Sequence, residues 1–174
     1  VKRVAIVGSG GAGKSTFARA LTLRTGLPLV HLDHLYWSPG WVVTPSDEWR
    51  VVLEEALGGD AWIADGNYAR TYDVRFARAD TIIVLAPSRW RCATRVLKRT
   101  FTNYGRSVQA PDCPERFDFK FLRWVWRYPT DSRPQLDAAI REHGADASLI
   151  ELTTSRQVQR FLEALGPDTS ITHH

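Results

Sequence analysis

The stretch VAIVGSGGAGKST, residues 4–16, decides the fold. Four apolar residues run straight into a loop holding Gly8, Gly10, Gly11 and Gly13, with Ala12 among them, and the loop ends in Lys14, Ser15 and Thr16. Residues 8–15 satisfy G-x-x-x-x-G-K-[ST] at each fixed position, with a strand-like run before and a helix-like run after, which is the context the motif requires. Side chains this small let backbone N–H groups turn inward and approach an oxyanion closely. A helix starting near Lys14 adds its dipole and its unpaired amides. The expected ligand is a nucleoside triphosphate. Lys14 is expected on the β- and γ-phosphates and Ser15 on Mg²⁺.

Outward from the loop, short apolar runs alternate with helical periodicity. Strands are expected at 4–7, 29–32, 62–64, 81–85 and 148–152. Helices are expected at 15–24, 88–100, 116–128, 134–143 and 157–165. A further helix is expected to end near residue 57, with Thr44 as N-cap, Pro45 in its first position and Asp47 returning a carboxylate. Runs that are apolar on both faces suit a covered parallel sheet, and the crossover rule then gives an α/β fold in three layers. We read residues 1–166 as one domain, with a mobile lid over about 100–133 and a flexible tail at 167–174.

The 174-residue chain is 44% hydrophobic and 24% charged, the composition of a globular domain. It has no apolar run long enough to span a membrane and no segment that reads as a secretory leader. Cys92 and Cys113 are expected as free thiols in a reducing cytoplasm. The net charge is +4, but residues 89–133 hold eleven Lys/Arg against four Asp/Glu. A block this basic points to an anionic partner: nucleotide phosphates, a phosphorylated substrate or nucleic acid. No helix-turn-helix or finger signature accompanies it, so nucleic acid is the less favoured partner. The oligomeric state is left open.

Two acids end strand-like runs, Asp65 in AWIAD and Asp33 in LVHLD. Both should emerge at the carboxyl edge of the sheet, beside the glycine loop. Arg91, Arg95 and Arg99 recur every four residues on one helical face, a stack of like charge that calls for an anion; Arg95, at the centre, is the first choice. Arg123 and Arg127 are also four apart and are expected to point into the cleft. Trp37, Trp41 and Tyr36 suit either a ring-bearing ligand or the core. Asn67, Tyr68, Arg75 and Arg78 are candidates for the acceptor pocket. His31 and His34 flank Asp33 without forming a metal motif.

With these residues in view, the chain resembles the P-loop kinases of the adenylate-kinase type. In particular it resembles the small bacterial DNA topology modulation (FlaR-like) proteins. The resemblance is carried by GSGGAGKST, HLDHLYWSPGW, IADGNY, ADTIIVL, RWRCATRVLKR, CPERFDFKFLRWVWRY and SRQVQRFL. It implies a sheet of order 2-3-1-4-5, Asp33 facing the phosphoryl acceptor, Asp65 holding the magnesium shell, and phosphate-gripping arginines among Arg91, Arg95, Arg99, Arg123 and Arg127. Catalysis would then rest on Lys14, Asp33, Arg95 and Arg127, and acceptor binding on Asp33, Trp37, Asn67, Tyr68, Arg75 and Arg123. The implied activity is phosphoryl transfer from MgATP to a small metabolite or nucleotide. A nucleic-acid-linked ATPase and a nucleotide-dependent switch are the alternatives. The chain departs from adenylate kinases in the register of DGNYAR. It departs from shikimate-type kinases in carrying His31 where they have the first aspartate of Asp-x-Asp. Neither acceptor follows from the sequence.

Overall fold

The computed structural model describes residues 1–166; the segment 167–174, read above as a tail, lies outside the described residues. Strand β1 (Arg3–Gly8) runs up the middle of the sheet because it is apolar on both faces, and four of its side chains are fully buried, Val4, Ala5, Ile6 and Val7. Helix α1 (Lys14–Thr25) leaves the glycine loop and stops at Gly26, whose φ of 67° suits a left-handed cap. It leads to β2 (Leu29–His31). Next come α2 (Leu32–Tyr36), a small antiparallel hairpin of β3 (Trp37–Ser38) and β4 (Val42–Val43), and α3 (Ser46–Ala56). Strand β5 (Trp62–Asp65) is followed by a 3-10 turn at Ala69–Thr71, α4 (Tyr72–Phe76) and β6 (Thr81–Leu85). The chain then forms α5 (Arg89–Thr102), α6 (Phe119–Asp131), α7 (Arg133–His143), β7 (Ser148–Leu152) and α8 (Ser155–Ala164).

The main sheet has the order β2-β5-β1-β6-β7 and every pairing in it is parallel. Counted over its own five strands this is 2-3-1-4-5, and the hairpin β3-β4 is a separate two-stranded sheet. Alternate residues of β1 feed two cores. Ala5 and Val7 join Trp49, Leu53, Phe76, Leu136 and Ile140 under α3, α4 and α7. Val4 and Ile6 join Phe17, Leu21, Cys92, Val125 and Leu162 under α1, α5, α6 and α8. The sheet is thus covered on both faces, as expected. The sheet has two edges, β2 and β7, and β7 is the more open of them, with Ser148, Leu149 and Glu151 exposed.

Local details depart from the sequence reading. Thr44 caps no helix; its hydroxyl donates to the carbonyls of Leu35 and Tyr36 at 3.3 and 2.8 Å and ties down the hairpin. Helix α3 starts behind Pro45 without a side-chain cap. Helix α6 begins later than expected, because Asp118 accepts from the Phe121 amide at 2.9 Å and sets its N-terminus. Between α5 and α6, residues 103–118 form an irregular cover. It is closed on itself by Gly105 N–H to Glu115 O and Glu115 N–H to Arg106 O, both 2.9 Å.

Candidate active site

The glycine loop curls between the end of β1 and the start of α1. Gly8 already belongs to the sheet: a Cβ there would lie 2.3 Å from the Leu85 carbonyl oxygen. Gly11 lies against α5, where a Cβ would come within 2.4 Å of the Cys92 carbonyl. Ala12 is buried, and its amide donates to the Ser9 carbonyl at 3.2 Å, closing the turn. Gly13 is the N-cap of α1, with a φ of 96° and no capping side chain. The first-turn amides at Lys14, Ser15 and Thr16 therefore have no partner within the helix. Gly10, Gly11, Gly13, Lys14, Ser15 and Thr16 all line a cavity of about 770 Å³. Lys14 Nζ donates to the Gly8 and Ser9 carbonyls at 3.0 and 2.9 Å. Burial pushes its pKa below the ordinary lysine value, opposed by the charges of Asp33 and Asp65.

Those two carboxylates enter the same cavity from the ends of β2 and β5. Asp65 is the last residue of β5 and is buried, with His31 Nδ1 2.5 Å from its Oδ1. In this contact His31 donates through Nδ1–H and the Asp65 carboxylate accepts. Asp33 stands in the first turn of α2, and its Oδ1 accepts a hydrogen bond from the Tyr68 hydroxyl at 2.5 Å. Burial, followed by the neighbouring Asp33 charge, drives the Tyr68 pKa far up, so Tyr68 stays a donor. Trp37 and Trp41 line the wall beside them, their rings 5.3 Å apart in an edge-on arrangement. Asn67 also lines the cavity, but its carbonyl oxygen accepts from the hydroxyls of Tyr72 (2.9 Å) and Tyr128 (3.2 Å) and from the Gly8 amide (3.4 Å). Its main task is to fix the loop after β5 against β1 and α6.

The arginines distribute differently from the sequence reading. Arg75 is fully buried and lines no part of the cavity; it donates to the Gly66 and Tyr68 carbonyls at 2.8 and 3.0 Å, under the ring of Tyr72. It braces the loop after β5 from behind. Arg123 and Arg127 are exposed, and Arg127 pairs with Asp131 at 2.7 Å. At 3.6 residues per turn they fall opposite Phe121, Val125 and Tyr128, the face that packs inward, so neither reaches the cleft. Arg95 Nη1 lies 3.3 Å from the Ala12 carbonyl and 3.5 Å from that of Gly11, against the glycine loop, and Arg91 lies 3.5 Å from Ser155 Oγ. Neither lines the cavity.

Arg99 does line it, with Nε 3.1 Å from the buried carboxylate of Glu115. Glu115 in turn accepts from Gln109 at 2.8 Å. Arg99 was among the candidate arginines, but its partners Glu115 and Gln109, and the approach of Arg19 and Arg116 to the cavity, escaped the sequence reading. Arg19 follows Ser15 by one helical turn, a spacing that places it on the same face. Glu115 had no such signal, because residues 103–118 have no period. The cover also meets the hairpin. The Gly40 amide donates to Asp112 O at 3.0 Å, Trp41 Nε1 to Pro114 O at 2.9 Å, and Cys113 Sγ to Ser38 O at 3.4 Å. Cys92 and Cys113 are both free and buried.

No protein-family model matches the chain, and no curated protein matches it in sequence. Solved structures do. The chain is similar to shikimate kinase from Acinetobacter baumannii in complex with shikimate, at 18% identity and a TM-score of 0.59, over 95% of this chain and 90% of that one. It is similar to deoxyadenosine kinase from M. mycoides with the products dCMP and dCDP, at 15% identity and a TM-score of 0.51, over 94% and 98% of the two chains. The same kinase with bound dATP gives 14% identity and a TM-score of 0.51, over 95% and 99%. At such identities the likeness speaks for architecture. The chain has the fold of these P-loop kinases, a parallel five-stranded sheet with helices on both faces.

Proposed function

We propose that this chain transfers the γ-phosphoryl group of ATP, in the presence of Mg²⁺, to a hydroxyl of a small molecule, in keeping with its resemblance to the adenylate-kinase type and the FlaR-like group. One observation carries the reading. The glycine loop and the Asp33 wall open into a single cavity, and residues 103–118 cover it. Drawn down over bound substrate, that segment would exclude water, and water exclusion separates transfer from hydrolysis.

The roles follow from position. The amides from Gly11 to Thr16 cradle the phosphates, and Lys14 exchanges its two loop carbonyls for phosphate oxygens. Asp33, held by Tyr68, orients the acceptor hydroxyl and takes its proton. Arg99, fixed by Glu115, is the α5 arginine on the cavity side and stabilises charge on the transferred group. Arg95 stands against the loop and Arg91 beside Ser155, where they suit the nucleotide's remaining parts. Ser15 and Asp65 are the residues that would hold Mg²⁺. Among the described residues no group of three or more His, Cys, Asp or Glu converges into a metal cage. That donor set fits a cation drawing its other ligands from phosphate and water, as Mg²⁺ does. Held there, Mg²⁺ would neutralise negative charge on the phosphates.

The test is ADP release from ATP and Mg²⁺ over a pool of small hydroxylated compounds. Release that depends on an added acceptor, and is lost in Lys14→Ala, is the expected result. One observation supports a second reading. Lys98, Arg106, Arg116, Lys120, Arg123 and Arg127 are all exposed, a basic surface of the kind nucleic acids bind. ADP release that answers only to DNA, with salt-sensitive DNA binding, would replace the kinase reading with that one.

A further inference from the structure

We infer that the phosphoryl acceptor is a ring-bearing alcohol that carries no phosphate and no carboxylate. The inference rests on the kinase reading above and concerns the chemistry of its acceptor wall. That wall is built from residues 31–72, and the part of it facing the cavity holds four aromatic rings, Trp37, Trp41, Tyr68 and Tyr72, and two carboxylates, Asp33 and Asp65. No lysine or arginine of that span faces the cavity.

The absence has a structural cause. Between residues 31 and 80 the chain has four basic residues other than histidine, all arginines, and each is committed elsewhere. Arg50 pairs with Asp73 at 2.7 Å and with Glu54 at 3.2 Å. Arg70 donates to Ser46 Oγ at 2.8 Å. Arg75 is buried on the Gly66 and Tyr68 carbonyls. Arg78 donates to the carbonyls of Gly58 and Gly59 at 3.1 and 3.2 Å. An anionic group laid on this wall would lose water, face two carboxylates and find no counter-charge.

Cations on the other walls do not make up the deficit. Lys14, Arg19, Arg99 and Arg116 reach the cavity from α1, α5 and the cover. They are matched in number by Asp33, Asp65, Glu115 and Asp118. ATP then brings several negative charges to a balanced site, and a second anion would add to an uncompensated excess. What the wall does offer is flat apolar surface, which favours a ring face, together with the Asp33 carboxylate for a hydroxyl. Selection against anions comes from this repulsion as much as selection for rings comes from the aromatic contacts.

The experiment is isothermal titration of the full chain preloaded with a non-hydrolysable ATP analogue and Mg²⁺. The probes are adenosine against adenosine monophosphate, myo-inositol against its monophosphate, and shikimate as a ring alcohol bearing a carboxylate. The expected result is that at least one neutral probe binds, ten times or more tighter than its phosphorylated partner, with shikimate no better than the anionic set. His34→Arg, which places a cation on the wall, is expected to narrow that ratio by at least tenfold. Equal or tighter binding of a phosphorylated or carboxylated probe overturns the inference, and so does a failure of every neutral probe to bind. If the neutral probes bind as expected but hydrolysable ATP never yields ADP, the kinase reading fails while the description of the wall stands.

Discussion

Gly11 and Gly13 are two residues apart and do different things. A Cβ at Gly11 would press on the Cys92 carbonyl at 2.4 Å, whereas one at Gly13 would meet nothing nearer than Arg95 Nη1 at 3.6 Å. Both sit at positive φ, 75° and 96°. We expect Gly11→Ala to cost about 2–4 kcal/mol of stability in urea unfolding, from a left-handed alanine plus a backbone clash. Gly13→Ala should cost only about 1–2 kcal/mol, with its larger effect on ATP affinity. Lys14→Ala should leave circular dichroism unchanged and abolish transfer. Asp33→Asn should lower kcat by roughly 10²-fold or more with little change in ATP affinity; equal losses in both would move Asp33 to the metal. The loop, Lys14, Asp33 and Asp65 were legible because a strand-ending acid and a spaced glycine motif fix position along the chain. Arg75 and Arg127 were misread because a residue's type does not say which way a short helix or an amphipathic one turns it. Arg127 carried the remedy in its own sequence: the aromatic residues at 121, 124 and 128 claim the inner face and leave the arginines outside.

Elements of ten residues or more, and strands apolar on both faces, were readable from their period. The hairpin β3-β4, with strands of two residues each, and the five-residue helices α2 and α4 were not, since they hold less than two turns or one alternation. Packing of Tyr36, Trp49 and Tyr68 decides them instead, with ring centroids 4.5–5.1 Å apart. At the opposite edge, Arg133 of α7 ties itself to Glu151 of β7 at 2.8 Å and to Asp137 at 2.7 Å. Its hydrogen bond holds the Glu151 carboxyl below the usual glutamate value, so the folded state binds that proton less readily than the unfolded chain. The stabilisation is therefore complete above the unfolded pKa and is lost as pH falls through the folded one. With the Glu151 side chain 41% exposed, solvent screening limits it to about 0.5–1 kcal/mol. Glu151→Gln should show that loss in urea unfolding at pH 7 and almost none at pH 3.

At the scale of the molecule, the sheet places two half-sites on one edge and the cover joins them. Ligand occupancy should then stabilise the whole domain. At a hundredfold excess over Kd, an ATP analogue with Mg²⁺ is expected to add about 2.7 kcal/mol, or roughly 5–11 °C in Tm for a chain of this size. Thermal melts with and without the analogue check this, and an unshifted melt counts against the phosphate cradle. No helix of the described residues is long and apolar enough to cross a membrane. The seam where the hairpin meets the cover has a consequence of its own. Among the described residues, the two non-glycine positions with left-handed backbone are Trp41 (φ 65°) and Asp112 (φ 53°), one on each side of it: Asp112 accepts from Gly40, and Trp41 donates to Pro114. Two N–H donors and one weak thiol donor close that seam, together about 2–3 kcal/mol, against roughly 1–2 kcal/mol of conformational cost at each twisted residue. The two sums nearly cancel, which makes the junction a balance poised near its pivot. A small load from a bound molecule is enough to tip it either way, and relaxing the twist on release works in favour of departure.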